Sequence, residues 1–297
     1  MREDDLRESQ NIEDRRGMGG GLGGGGFRVG GGGLGIGTIV VLGLIGWALG
    51  INPAVLINGA QMVAGGDTGY VSRPPQQAGT PNDRAGIFVA RILGETEDVW
   101  SEVLPAQANR AYDKPRLVLY SGTTASACGT AQAATGPFYC PNDRKVYLDT
   151  AFFHDMKLRF GGGGDFAYAY VIAHEIGHHV QNLLGLLPRA QAMQRNASDR
   201  ATANAISVRT ELMADCFAGV WANKMNQRHA NIDSSDVQQA VAAATAIGDD
   251  RLQRESRGVA VPDSFTHGSS AQRVRWLTTG LKSGSIKACD TFSGSEL

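Results

Sequence analysis

The sequence predicts an α+β domain carried behind a single membrane-spanning segment. Three observations give that architecture. An uncharged apolar run begins at Leu34, short strand-like segments cluster before Leu148, and nearly everything after Leu148 has helical character. Strands first and helices later is the order of an α+β domain rather than of a doubly wound parallel sheet. At 297 residues the chain has room for one or two domains. Its formal net charge of −1 offers no basic footprint, so a nucleic-acid partner is not expected.

Taken in order, Met1–Arg16 mixes four Arg with six acidic residues, and 14 of the 21 residues from Gly17 to Gly37 are Gly. Collagen would need a strict Gly period and abundant Pro, and neither is present. Residues 1–33 are expected to form a disordered, Gly-rich cytoplasmic tail, because they bury too little apolar surface to offset the entropy of ordering. Leu34 to Ile51 contains 18 residues without a charge, and the apolar character continues to Ile57. About 20 apolar residues suffice to span a bilayer, so 34–57 is expected to be a transmembrane helix in contact with lipid. A cleaved signal peptide would start closer to the N-terminus and carry a shorter apolar core. Gly46 and Gly50 have the small-xxx-small spacing that packs spans together. Arg15, Arg16 and Arg28 precede the span, and Arg73 is the first basic residue after it. The positive-inside rule then puts the N-terminus in the cytoplasm and the rest outside. Residues 58–83, with Arg73-Pro74-Pro75 and Gly79-Thr80-Pro81, have the character of a polar linker.

Residues 84–297 form the expected folded domain. Ile87, Phe88, Ile92, Val99 and Val103 recur at helical intervals within Ala85–Leu104. Leu117–Tyr120, Phe138–Cys140 and Val146–Leu148 are the strand candidates. Four cysteines allow three pairings. Cys128–Cys140 with Cys216–Cys289 is favoured, since the first closes a short loop. No Cys-x-x-Cys is present, so disulfides in an oxidising compartment are a simpler account than a cysteine zinc site.

The chemistry sits after Gly161–Gly164, where Asp165 is the expected N-cap of a helix from Phe166 to about Leu184. That helix contains His174-Glu175-Ile176-Gly177-His178. Residues i and i+4 share a helix face, so both imidazoles reach one metal ion, while Glu175 reaches a water without ligating. Catalytic zinc needs a third protein ligand. Glu211 and Asp215 in Glu211-Leu212-Met213-Ala214-Asp215 again share a face, among the apolar neighbours Leu212, Ala214, Cys216 and Phe217. Glu211 suits the third ligand, and Asp215 suits an acceptor for the other ring nitrogen of a ligating histidine. His179 points about 100° away and belongs to the core or behind a ligand. His154 and His229 lack companions and are expected on the surface.

Over most of Arg84–Leu297 the sequence resembles the bacterial neutral zinc metallopeptidases, membrane-anchored proteins with a zincin-type catalytic domain. The likeness lies in Thr96-Glu97-Asp98-Val99-Trp100, Gly136-Pro137-Phe138-Tyr139-Cys140-Pro141, Ala173–Gln181, Glu211–Trp221, Gly248-Asp249-Asp250 and Phe265-Thr266-His267-Gly268. Met213 departs from the pattern, where Gln is expected, without touching the metal. The resemblance implies Zn²⁺ on His174 and His178 with Glu175 as the catalytic residue. Glu211 as third ligand follows by analogy with metallopeptidases that use Glu-x-x-x-Asp. It implies a zinc-dependent peptidase acting on a peptide or protein. The expected location is the bacterial cytoplasmic membrane, single-pass, with the catalytic domain extracytoplasmic. The competing reading is a catalytically silent, metal-stabilised binding or assembly-factor domain. An intact Glu175 speaks against it, because a structural zinc has no use for a general base. One role stays open, a donor where the oxyanion develops. His267, in a turn-rich stretch after Pro262-Asp263-Ser264, is the candidate, with Tyr139 and Arg273 as rivals.

Overall fold

The computed structural model describes residues 1–18, 79–132, 136–160, 163–230 and 232–294. The expected span 34–57 lies outside the described residues, as does most of the linker. Among the described residues no helix is long and apolar enough to cross a membrane. Residues 1–18 and 79–294 belong to one structural unit.

Two strands form the centre of the sheet. Arg116–Tyr120 (β2) and Lys145–Asp149 (β6) pair in parallel, with Leu117 opposite Val146 and Leu119 opposite Leu148. Their side chains alternate between faces, as strand geometry requires. Leu117, Leu119, Val146 and Leu148 enter the main core, whereas Val118, Tyr120 and Tyr147 form a smaller cluster on the other face. A short hairpin, Thr123–Ser126 (β3) with Gly129–Gln132 (β4), contributes Ala131 to that second cluster. Phe138–Cys140 (β5) runs antiparallel along β6 as an edge strand. The disulfide Cys128–Cys140 ties the hairpin turn to β5. The three strand candidates of the sequence are all present. The hairpin went unseen because Thr-Thr-Ala-Ser and Gly-Thr-Ala-Gln carry almost no apolar alternation.

Helices cover the main face of the sheet. Arg84–Ala108 (α1) starts at Asp83, whose side chain accepts from the Gly86 amide. Ala151–Phe160 (α2), Asp165–Leu183 (α3), Leu186–Arg195 (α4) and Arg200–His229 (α5) follow. Ser234–Ala246 (α6), Asp249–Arg257 (α7) and Ser270–Ser283 (α8) complete the chain. The start of α3 differs from expectation by one residue. Gly164 is the N-cap at φ 137°, and Asp165 is the first helical residue. Gln239 of α6 supplies the missing cap, accepting from the Phe166 amide at 3.3 Å. At φ 137° a residue with a side chain would be strained, which is why glycine stands there. The disulfide Cys216–Cys289 joins α5 to the short turn Ile286–Cys289.

The N-terminus corrects the expectation of disorder from Met1. Ile12–Asp14 (β1) adds a parallel strand to β2, giving the order β1-β2-β6-β5. Leu6 and Ile12 are buried in the main core. On α1, the carboxylate of Glu97 is buried and receives Ser9 Oγ, Asn11 Nδ2 at 2.7 Å and Arg7 at 2.8 Å. Composition misled because the apolar residues are few, yet this segment binds through its backbone and its polar groups. Without it, a buried carboxylate would lose its donors, which costs about 1–3 kcal/mol or more for a charged group.

Gly94 lets the segment approach, because a Cβ there would collide with the Arg7 carbonyl. Gly94→Val is therefore expected to destabilise the fold by about 1–3 kcal/mol. A domain of this size loses roughly 2–4 °C of Tm per kcal/mol, and calorimetry of the full chain checks it. An unchanged Tm would mean that residues 7–11 do not pack on α1.

Candidate active site

The site is built where α3 crosses α5. A Cβ at Gly177 would lie 2.9 Å from the Ala214 carbonyl oxygen, so the two helix backbones meet closely there. On α3, His174 stands about one turn before Gly177 and His178 directly after it; on α5, Glu211 stands about one turn before Ala214 and Asp215 directly after it. His174 Nε2 lies 3.2 Å from one Glu211 oxygen, and His178 Nε2 lies 3.4 Å from the other. Ligand atoms of His174, His178 and Glu211 all fall within 4.8 Å of one another.

The other ring nitrogens are committed elsewhere. His174 Nδ1–H donates to Asp215 Oδ1 at 2.8 Å, and His178 Nδ1–H donates to Gln181 Oε1 at 2.9 Å. Gln181 is fixed in turn by donating to the Thr210 carbonyl. Both tautomers, assigned from this network, leave Nε2 free for a metal. Two imidazoles, one carboxylate and oriented outer partners are a donor set that fits Zn²⁺.

Asp215 is fully buried and must be balanced. Arg273 of α8 grips it with two hydrogen bonds of 3.0 and 2.9 Å, and Tyr170 donates to it at 2.6 Å. Without a metal, burial opposes charging of His174, but Asp215 and Glu211 outweigh it and lift its pKa to about 10. Burial likewise opposes charging of His178, and Glu211 overcomes it. Burial would raise Glu211, yet His178 and His174 hold it well below the carboxylate range.

A cleft of about 450 Å³ opens over these groups. Glu175 lines it without belonging to the ligand set. Phe138 and Tyr139 of β5 form one wall, and His267 lies on the rim. The carboxylate of Asp249 holds the His267 loop. One of its oxygens accepts from the backbone N–H groups of Thr266, His267 and Gly268 at 2.7, 2.6 and 3.1 Å. The other lies 3.3 Å from His267 Nδ1. The hydrogen bond to Asp249 raises the His267 pKa above its ordinary value.

The rivals for the donor role are occupied. Arg273 is spent on Asp215, and the Tyr139 hydroxyl contacts His179 Nδ1 at 3.0 Å and Asn182 at 2.9 Å. His179 is a core residue, as expected, and burial drives its pKa down to about 4. His154 is exposed, and His229 on the surface pairs with Glu95 at 3.0 Å. Sequence reasoning missed Gln181, Tyr170 and Asp249. Gln181 had a usable signal, standing three residues after His178 on the same helix face.

A family model described as putative neutral zinc metallopeptidase matches residues 1–292. The uncharacterized protein YpfJ of Escherichia coli (strain K12) is 45% identical over 298 residues, covering 99% of this chain and 100% of the relative. An uncharacterized protein of Mycobacterium tuberculosis (strain ATCC 25618 / H37Rv) is 45% identical over 209 residues, 67% of this chain and 68% of its own. No solved structure matches. The likeness to the family thus reaches beyond residues 84–297 and includes the N-terminal strand.

His174→Ala, His178→Ala and Glu211→Ala are each expected to abolish stoichiometric zinc, measured by metal analysis of the purified chain. Asp215→Ala is expected to weaken zinc binding by about 10–100-fold, the usual effect of losing an outer partner. His174, lifted to about 10, carries a proton at pH 7 in the metal-free site, and ligation requires a neutral ring. Zinc binding should therefore release protons, and affinity should fall on acidification. Titration calorimetry in buffers of different ionisation enthalpy reads both, and a buffer-independent heat at pH 7 would contradict the assignment.

Proposed function

This chain belongs to the putative neutral zinc metallopeptidase family, and on the geometry of its cleft we propose that it hydrolyses peptide bonds using zinc held by His174, His178 and Glu211. The observation that carries this reading is the convergence of two Nε2 atoms on the Glu211 carboxylate, with Glu175 facing the same cleft but outside the ligand set. When bound, zinc supplies Lewis-acid polarisation of water and of the scissile carbonyl. Glu175 accepts a proton from the attacking water and returns it to the leaving amine. His267, held through Nδ1 by Asp249, presents Nε2–H to the oxygen that gains charge as the carbonyl becomes tetrahedral. Arg273 and Tyr170 keep Asp215 ionised, so that His174 stays oriented. The peptide lies as an added strand along β5, the sheet edge beside the cleft, by analogy with zincin folds.

We also propose that the catalytic domain is extracytoplasmic. Its support is the pair of disulfides, which persist in oxidising compartments.

Glu175→Gln is expected to retain zinc and lose peptide hydrolysis, tested on a peptide library with the full-length protein. Stoichiometric zinc without cleavage by the wild type would instead mark a silent binding domain. His267→Ala should keep zinc and lower kcat by roughly 10²–10³. As pH rises through the His267 pKa, the ring keeps Nδ1–H on Asp249 and loses Nε2–H, so activity should fall on the alkaline side. Asp249→Asn removes the main cause of that raised pKa. The alkaline limb should then move to lower pH, and an unmoved limb would remove His267 from the mechanism.

A further inference from the structure

The two ends of the segment between Met18 and Gly79 are fastened to each other. Asp14 and Gly79 exchange both backbone hydrogen bonds, at 2.9 and 3.0 Å, in an antiparallel bridge. Two residues farther along, the Arg16 guanidinium binds Asp14 at 2.6 Å and Asp83, the N-cap of α1, also at 2.6 Å. The same short stretch pairs with β2, where Asn11 accepts from the Leu117 amide at 2.9 Å and Arg15 donates to Leu119 at 2.7 Å. Glu97, within the Thr96–Trp100 stretch to which the mechanism gives no role, takes Arg7, Ser9 and Asn11.

From these contacts we propose that residues 1–18 and 79–294 lie on the same side of the membrane. A strand cannot pair with a sheet on the other side of a bilayer, because paired strands lie about 4.8 Å apart and the hydrocarbon core is about 30 Å thick. These contacts are incompatible with the single crossing that the sequence suggested, which would place residues 1–18 and 79–294 on opposite sides. The charge argument for an N-terminus in the cytoplasm also weakens. Two of its three arginines are spent inside the folded unit, Arg15 on Glu13 at 2.7 Å and Arg16 on Asp14 and Asp83. The family match independently begins at residue 1, so the segment falls within the same family model as α3 and α5. This proposal is independent of the peptidase reading, since it needs neither zinc nor turnover.

The test uses the full-length protein in bacterial membranes. All four cysteines are in disulfides, so a cysteine placed at an exposed position is the only thiol to label. Gln10→Cys and Arg257→Cys, both at exposed positions, are treated with a membrane-impermeant maleimide in intact spheroplasts and in inverted vesicles. Labelling of both variants in the same preparation is expected. Labelling of one in spheroplasts and the other only in inverted vesicles would overturn the proposal. A protease site placed between Met18 and Gly79 gives a second readout. After cleavage in detergent, residues 1–18 should co-elute with the domain and be lost from Gly94→Val. Separation of the wild-type fragments would also overturn it.

Discussion

The candidate site depends on how closely α3 and α5 approach at Gly177 and Ala214. A Cβ at position 177 would lie 2.9 Å from the Ala214 carbonyl oxygen, so a larger residue there would push the two helices apart. Glycine at position 177 avoids that separation, and His174, His178, Glu211 and Asp215 then face each other across the seam. The same device recurs between α5 and α8. Gly219 approaches the Leu277 carbonyl and Gly280 approaches the Cys216 carbonyl, so that Arg273, two turns earlier on α8, reaches Asp215. Three helices are locked at small residues, and each lock delivers one layer of the site. The disulfide Cys216–Cys289 holds α5 beside Asp215 and secures the last turn against it.

That geometry explains what was legible in the sequence. Intervals of three and four residues are properties of a single helix, so His174 with His178 and Glu211 with Asp215 could be paired by counting. The meeting of the two helices was inferable because each pair was incomplete alone. Arg273 and Asp249 could not be counted in this way. They lie 58 residues from Asp215 and 18 residues from His267 respectively, and only the packing of α7 and α8 brings them in. The strands at 117–120, 138–140 and 146–148 were visible because they are short apolar runs buried on both faces. The hairpin and β1 were invisible because their stabilisation comes from backbone pairing and polar contacts, which leave no hydrophobic pattern.

The N-terminal segment shows how composition misleads when a charged residue is not a surface residue. Disorder was expected from many charges and few apolar side chains, a sound argument for a chain that must build its own core. Here the core already exists, and the segment needs only to cover it. Its charges find fixed partners, Arg7 on Glu97 and Asp98, and Lys145 on Glu13. Several of these pairs are partly exposed and weak singly. Glu97 is different, since it is buried and its donors come chiefly from residues 7–11. Removing one member of a buried ionic group costs far more than the group contributes when complete. The segment is therefore held by what its absence would expose.

The same asymmetry orders the charges around the candidate metal ligands. The two histidines are equivalent in sequence but not in surroundings. His174 is backed by an ionised carboxylate, itself gripped by Arg273 and Tyr170, whereas His178 is backed by the neutral amide of Gln181. A carboxylate partner raises the basicity of an imidazole more than an amide does, because it stabilises positive charge on the ring. His174 is thus the stronger donor, and Arg273 governs it indirectly by keeping Asp215 ionised. Arg273 also keeps the buried charge in balance. Glu211, Asp215 and Glu175 would concentrate negative charge under one cleft, and a guanidinium on α8 offsets part of it without occupying a ligand position. The site thereby holds two carboxylates in different settings, Glu211 facing the Nε2 atoms of both histidines and Asp215 facing Nδ1 of His174, separated by one turn of α5. Exchanging those roles would put Asp215 at the cleft and Glu211 against Arg273, which the register of the Gly177–Ala214 crossing forbids.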